Sequence, residues 1–196
     1  FFTTEWRRIL SPTVVNTVRA SFTRPNTRTA PQNPPNPALQ FFPAAAGRPD
    51  SAVSITGITG VGVSTFVPAG QIQNRYAAAD DFLWTHGAHS TRFGVSIVRQ
   101  QSNVFYPFRS GSTWSFQSLA NFQAGLSSSA TAVPFGPQYN SSRYYRETQI
   151  TPYFQNDWKI TPKLTLNSGL RWEYVTNPTE ANNNFYSVTD FANGTD

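Results

Sequence analysis

From Ile150 to Val175 the chain alternates. Ile150, Phe154, Trp158, Ile160, Leu164, Leu166, Leu170, Trp172 and Tyr174 fall on even positions, and Thr151, Tyr153, Gln155, Asp157, Thr165, Asn167, Arg171 and Glu173 on odd ones. Period two is a strand signal. Two strands are predicted around Thr161-Pro162-Lys163, where Pro162 lacks a ladder donor and has its φ preset for a turn. Antiparallel partners have residue numbers that add to a constant, so a shared even face requires an odd loop, and three residues supply it. The register then sets Trp158 opposite Leu166, Phe154 opposite Leu170 and Pro152 opposite Trp172 on the apolar face. Tyr153 faces Arg171 and Thr151 faces Glu173 on the polar one.

The same rule organises two earlier hairpins. Around Ser11-Pro12-Thr13, Leu10 is predicted to face Val14, Trp6 to face Val18 and Phe2 to face Phe22, with Glu5 opposite Arg19 on the polar side. Arg8 and Asn16 break the apolar pattern close to the turn, where a long Arg side chain can carry its charge back to head-group level. In the middle hairpin the apolar residues Tyr76, Ala78, Phe82 and Trp84 are even while Thr91, Phe93, Val95 and Ile97 are odd, so an even loop is needed. Gly87-Ala88 provides a two-residue turn with Gly first, the requirement of type II′. Phe82 should face Phe93, Trp84 should face Thr91, and Asp81 should lie diagonally across from Arg92.

The hairpins are thus expected over 3–24, 72–101 and 144–175. The long connections 25–71, 102–143 and 176–196 lose alternation and fill with Pro, Asn, Gly, Ala and Ser. Within them a short hairpin is expected near Ser54 to Val67. A short helix is expected within Phe116 to Leu126, where Leu119, Phe122 and Leu126 have helical spacing and Gly125 can end it. All tight turns fall at one end of the strands and all long connections at the other.

Composition narrows the environment. Among 196 residues, 38% are hydrophobic and 13% charged, with 16 Phe, 8 Tyr, 5 Trp, 15 Pro and 12 Gly. No stretch approaches the roughly 18 apolar residues of a membrane-spanning helix. The absence of Cys excludes disulfides and thiolate chemistry. The net charge of +5 comes mostly from Arg spread along the chain rather than gathered in a stripe, which argues against nucleic-acid binding. Lacking an initiating Met and starting within an apparent strand, the chain is expected to be an internal fragment.

A two-faced strand set can hide its apolar side against a second sheet or turn it to lipid around a watery lumen. Loops of forty or more residues count against a compact sandwich and suit the outer-membrane arrangement of short periplasmic turns and long extracellular loops. The expected fold is therefore all-β: an antiparallel up-and-down transmembrane β-barrel segment of about six strands in three hairpins.

YFQNDWKITPKLTLNSGLRWEY (Tyr153 to Tyr174), DDFLWTHGAHSTRFG (Asp80 to Gly94) and SPTVVNTVRASFTR (Ser11 to Arg24) resemble the barrel of TonB-dependent outer-membrane receptors, in particular the Oar-like subgroup with a carboxypeptidase-regulatory-like domain. The resemblance covers the three hairpins and little of the loops. Ala88 stands where the pattern has Lys or Arg beside His89, and Asn156 where it has an acid. The resemblance implies energised import of a scarce small solute across the outer membrane of a Gram-negative bacterium. It also implies a plug domain inside the barrel, contact with TonB through an N-terminal segment, and outer-membrane lipid around the wall. Such transporters have about 22 strands, and single-chain barrels start at about eight, so six strands would not close alone.

On this reading Glu5, Arg19, Asp81, Arg92, Tyr153, Arg171 and Glu173 form a lumen-facing wall. Trp6, Trp84 and Trp158, each shortly before a tight turn, form an aromatic girdle, with Trp172 and Tyr174 further along. His86 and His89 bracket the Gly-Ala turn and would face each other, but a structural metal site wants about four ligands, so a polar turn is the better reading. Asp80 and Asp81 point to opposite faces of a strand and make no acid/base dyad. Asn140 with Ser142 and Asn193 with Thr195 match the glycosylation pattern, a short motif that arises by chance. Neither a catalytic set nor a cofactor site is evident, so no enzyme is expected. The alternatives are a secreted β-sandwich that binds carbohydrate through exposed aromatics, and a passive porin-like channel.

Overall fold

The computed structural model describes residues 1–32, 36–39, 50–64, 66–106, 111–132 and 141–185. The strands in chain order are β1 (Phe2–Ser11), β2 (Val14–Thr23), β3 (Asn26–Thr29), β4 (Ala52–Ile55), β5 (Ile58–Val61), β6 (Ala69–His86) and β7 (His89–Phe105). After them come β8 (Thr113–Phe116), helix α1 (Leu119–Gln123), β9 (Ser129–Thr131), β10 (Ser142–Thr161), β11 (Leu164–Arg171), β12 (Tyr174–Val175) and β13 (Thr179–Glu180). The chain divides into two units, one of Phe1–Pro25, Ile72–Ser102 and Tyr144–Asp196, the other of Asn26–Gln71 and Asn103–Arg143.

The first unit is built on an antiparallel sheet in the order β1-β2-β6-β7-β10-β11, with β12 and β13 also pairing with β10. Its register follows from the alternation: Phe2 lies opposite Phe22, Trp6 opposite Val18 and Glu5 opposite Arg19, and β2 sets Val14 against Trp84 and Phe22 against Tyr76. Trp158 lies opposite Leu166, Phe154 opposite Leu170 and Tyr153 opposite Arg171.

The turns reach the expected parity by a different route. Leu10 does not face Val14; Ile9 pairs with Val15, Ser11 pairs with Val14, and the ladder shifts between Ile9 and Ser11. The third hairpin does the same, with Thr161 opposite Leu164 and a shift between Lys159 and Thr161. A two-residue turn alone would put even residues of the two strands on opposite faces, and one bulged residue restores them to one face. The reason lies in the first residue of each turn. Ser11 Oγ accepts from the Thr13 amide at 3.2 Å, and Thr161 Oγ1 from the Lys163 amide at 3.3 Å. Each hydroxyl closes the turn around the proline and draws its own residue into the ladder. In the middle hairpin Gly87 has φ +56 while Ala88 stays out of the positive region, as a type II′ turn requires.

The third hairpin also runs further than expected. The register survives a two-residue gap after Arg171, because Trp172 N donates to Pro152 O at 3.0 Å and Ile150 then pairs with Tyr174. Tyr145 pairs with Glu180, so part of the stretch 176–196 expected as loop belongs to the sheet.

The second unit corrects the reading of 25–71 and 102–143 as plain loops. β4 and β5 form a hairpin around Thr56-Gly57, earlier than the expected 54–67, and β8 lies parallel to β4 with Val53 opposite Trp114 and Ile55 opposite Phe116. With β9 they make a four-stranded sheet, β5-β4-β8-β9. Helix α1 is shorter than the expected segment, since Phe116 is spent on β8. Ser118 caps it by accepting from the Asn121 amide, and Gly125, φ +69, ends it with Leu126 N bonded to Asn121 O at 2.8 Å. Asn140, Asn193 and Thr195 lie outside the described residues.

Candidate functional site

Two surfaces of the first unit concentrate the chemistry. On its polar face the ladder brings Arg7 beside Thr17 and Thr17 beside Asp81, while Glu5 lies beside Arg19 and Tyr153 beside Arg171. Asp81 is the hub. Its Oδ2 pairs with the Arg19 guanidinium, and its Oδ1 accepts from the Tyr153 hydroxyl at 2.6 Å. Tyr153 comes from β10 and Asp81 from β6, so the hydroxyl must cross β7. Gly94 makes that possible: a methyl group there would meet the Asp80 carbonyl and, at 2.8 Å, Asp81 Oδ1 itself. A glycine in a strand interior marks this kind of close approach.

These contacts correct two expected pairings. Asp81 was expected to meet Arg92, and Glu5 to meet Arg19. Arg19 reaches Asp81 instead, Glu5 takes Arg7 at 3.2 Å, and Arg92 forms no ion pair among the described residues. Arg171 and Glu173 pair at 2.7 Å. The long Arg19 side chain extends across the strand to a carboxylate already oriented by Tyr153, whereas Glu5 and Arg7, two residues apart, share a face of one strand.

The other face is apolar and uncovered. Leu170 is 75% exposed, Phe2 61%, and Trp6 and Trp172 56% each, although these are the residues a water-soluble sheet would bury. The aromatic residues form a network along it. Phe82 stacks on Phe93 with centroids 5.3 Å apart and Trp172 on Tyr174 at 5.7 Å, while Phe22 meets Tyr76 at 4.9 Å with the rings tilted by 33°. His86 and His89 do not turn to each other: His86 stacks on Trp84 and His89 on Trp158. No group of three or more metal-ligating side chains occurs among the described residues. Asp80, opposite in facing to Asp81, is held on the apolar side by the Asn16 amide.

A family model described as an outer membrane beta barrel domain matches residues 1–195. The chain belongs to the outer membrane beta barrel domain family. No curated protein and no solved structure matches it. The barrel-domain family explains a sheet with a bare apolar face and a charged opposite one, because a transmembrane barrel crosses with alternating strands. No helix of the described residues is long and apolar enough to cross a membrane. In this barrel domain the tight turns Pro12-Thr13, Gly87-Ala88 and Pro162-Lys163 all lie at one end of the strands.

Sequence reasoning missed the Asn16–Asp80 pair, the notch at Gly94 and the choice of Asp81 by Arg19. A glycine at the centre of a strand otherwise free of glycine was the available signal for the notch. The second unit adds a cleft of about 650 Å³ bordered by Pro31, Gln32, Asn36, Asp50, Ser64 and Val67. Asp50 is buried there and accepts from the Asn36 amide at 2.8 Å.

Proposed function

We propose that this barrel domain is the wall of a TonB-dependent transporter that imports a scarce small solute across the outer membrane of a Gram-negative bacterium. The apolar face meets acyl chains. Glu5, Arg19, Asp81, Arg92, Tyr153, Arg171 and Glu173 border the lumen, and Trp6, Trp84, Trp158, Trp172 and Tyr174 are girdle residues at the lipid boundary. The wall performs no chemistry and holds no cofactor. Its partners are lipid, a plug domain, TonB and the solute.

The observation that carries this reading is the two-faced sheet with every tight turn at one end. The polar belt supports it further. Glu5, Arg19, Asp81, Arg171 and Glu173 each have an ion-pair partner within the wall, as suits a surface that encloses a plug, and Arg92 is left to meet plug or solute.

The test uses the full-length protein. It should require detergent for extraction, and its solute uptake should stop when TonB is deleted or the proton gradient is dissipated. Uptake that persists without TonB would identify a passive channel, and a monomer soluble without detergent would remove the membrane wall altogether. The reading frame should also encode a plug domain and a TonB-contacting segment before Phe1.

A further inference from the structure

One acid stands in the middle of the apolar face. Trp84 and Tyr76 bound the β6 part of that face, eight residues apart, which is roughly 26 Å along a strand and about 20 Å along the membrane normal after a tilt of ~40°. Asp80 lies midway between them, too deep for its short side chain to reach either boundary. Its neighbours in the sheet are apolar: Val18 opposite on β2, Ala78 and Phe82 along β6, and Val95 on β7, two residues on from the Phe93 that meets Phe82.

Asp80 has only half a set of partners. Asn16, itself buried, uses its side-chain amide twice, donating to Asp80 Oδ1 and to the Asp81 carbonyl at 3.3 Å. Asp80 Oδ2 accepts from no donor among the described residues. Acyl chains have none to offer, and a carboxylate left this way in hydrocarbon is strongly disfavoured. The missing donor therefore belongs to whatever covers the face.

The patch itself specifies that cover. Arg8 lies opposite Asn16 on β1, exposed and without an ion-pair partner among the described residues. β2 separates it from Asp80 by about 10 Å, two strand spacings, and Asn16 occupies the gap. A cation and an anion thus flank a central amide on one face. Such a patch is complementary to itself: turned by half a revolution about an axis near Asn16, a second copy sets its anion against the first copy's cation and its cation against the first copy's anion. In the next row toward Tyr76 the ladder lines up Thr4, Ala20 and Ala78, side chains short enough for a second wall to come close.

We propose that the patch of Arg8, Asn16 and Asp80 is a two-fold interface at which two copies of this barrel meet in the membrane, Arg8 of each copy reaching Asp80 of the other. The inference rests on the reading that the apolar face lies in the membrane. It removes this part of the face from lipid and gives the carboxylate its missing donor.

The experiment uses the full-length protein in phosphatidylcholine bilayers, with insertion read by heat-shifted band and oligomeric state by native mass spectrometry and by dilution in lipid. The native protein should be a dimer. Arg8→Asp leaves each copy with two acids in the patch, and Asp80→Arg leaves each with two cations, so each variant alone should be monomeric. Mixed in equal amounts, the two should form a heterodimer, because every contact across the axis is again between opposite charges. The milder Arg8→Gln and Asp80→Asn should each weaken the native dimer roughly a hundredfold, about tenfold for each of the two symmetry-related pairs. Arg99→Gln, at the other end of the same face, should leave it unchanged.

A monomeric native protein would overturn the interface, as would a dimer that survives the single charge reversals, or a mixture that fails to pair. Should Asp80→Arg fail to insert, the neutral variants decide: unequal weakening by Arg8→Gln and Asp80→Asn, or equal weakening by Arg99→Gln, would overturn the pairing. A native protein that does not insert would overturn the wall reading and the interface with it, whereas an inserted monomer would sink the interface alone.

Discussion

The two units of the chain solve the same problem, burying apolar side chains, in opposite ways. Unit two has a small centre of its own: among the described residues Val53 and Phe116 are the buried hydrophobic ones, and both belong to it. Around them Ser51 Oγ donates to Gly111 O at 2.5 Å and Trp114 Nε1 to Ser112 Oγ at 2.7 Å, while the buried Thr113 Oγ1 has no partner among the described residues. The first unit has longer strands, richer aromatics and no buried apolar side chain of its own among the described residues. Phe2, Phe22, Phe82, Phe154, Leu166 and Leu170 are left on one open face. A sheet of that kind completes its burial with a solvent, and the solvent it fits is lipid; the smaller unit buries Val53 and Phe116 within itself and leaves Ile58, Val61 and Leu126 exposed.

The sharpest way to break the comparison is to remove the internal centre. Phe116 packs edge-on against Phe122 with centroids 5.1 Å apart. Phe116→Ala should cost about 3–5 kcal/mol, the range for truncating a buried aromatic. For so small a sheet that is enough to expose the segments 50–64 and 111–132 to protease. The long strands should be unaffected, so a heat-shifted electrophoretic band should persist while limited proteolysis cuts only the connections. Loss of both together would mean that the division into two units is wrong.

The reciprocal test puts a charge on the open face. Phe82 sits one pair inside the Trp84 girdle, paired with Asn16 in the ladder and stacked on Phe93. Phe82→Arg should destabilise the inserted protein by about 1–3 kcal/mol, between the penalties for a cation on the lipid side at the boundary and at the midplane, measured as a shift in urea midpoint in bilayers. The same change in a soluble sheet with this face exposed would be nearly neutral. A near-zero shift would therefore place the apolar face in water.

What the sequence disclosed follows the same division. Alternation and parity are local properties, so the strand faces of β1, β2, β6, β7, β10 and β11 and most of their pairings could be read from order alone. The bulges at Leu10 and Ile160 could not, because they depend on whether Ser11 and Thr161 turn their hydroxyls to the backbone. The second unit was hidden for a different reason. β4 and β8 are four residues each and pair in parallel across about sixty residues of sequence, with Ala52 opposite Thr113. Strands so short carry little periodicity, and a parallel pair has no tight turn to announce it. On the polar face the residue set was legible but the partners were not. Side-chain reach and the space left by Gly94 decide whom Asp81 meets, and neither appears in a register.

The smallest effect probes that last point. Tyr153 crosses β7 to donate to Asp81, and Arg19 approaches the same carboxylate from β2. Tyr153→Phe keeps the ring over Gly94 and removes only the hydroxyl. It should cost about 1.5–3 kcal/mol, the range for a hydrogen bond to a charged group, less whatever lumen water restores. A purely local hydroxyl would give the same loss whether or not its partner were present, so the double variant is decisive. If the brace joins β6 to β10, Tyr153→Phe in an Asp81→Asn background should cost clearly less than in the native protein, the difference being the coupling energy of the pair. Gly94→Val should mimic the loss by filling the notch from below, with Tyr153 still present. Additive behaviour of the two substitutions would show that the tyrosine and the carboxylate act independently, and β7 would then be held by its ladder alone.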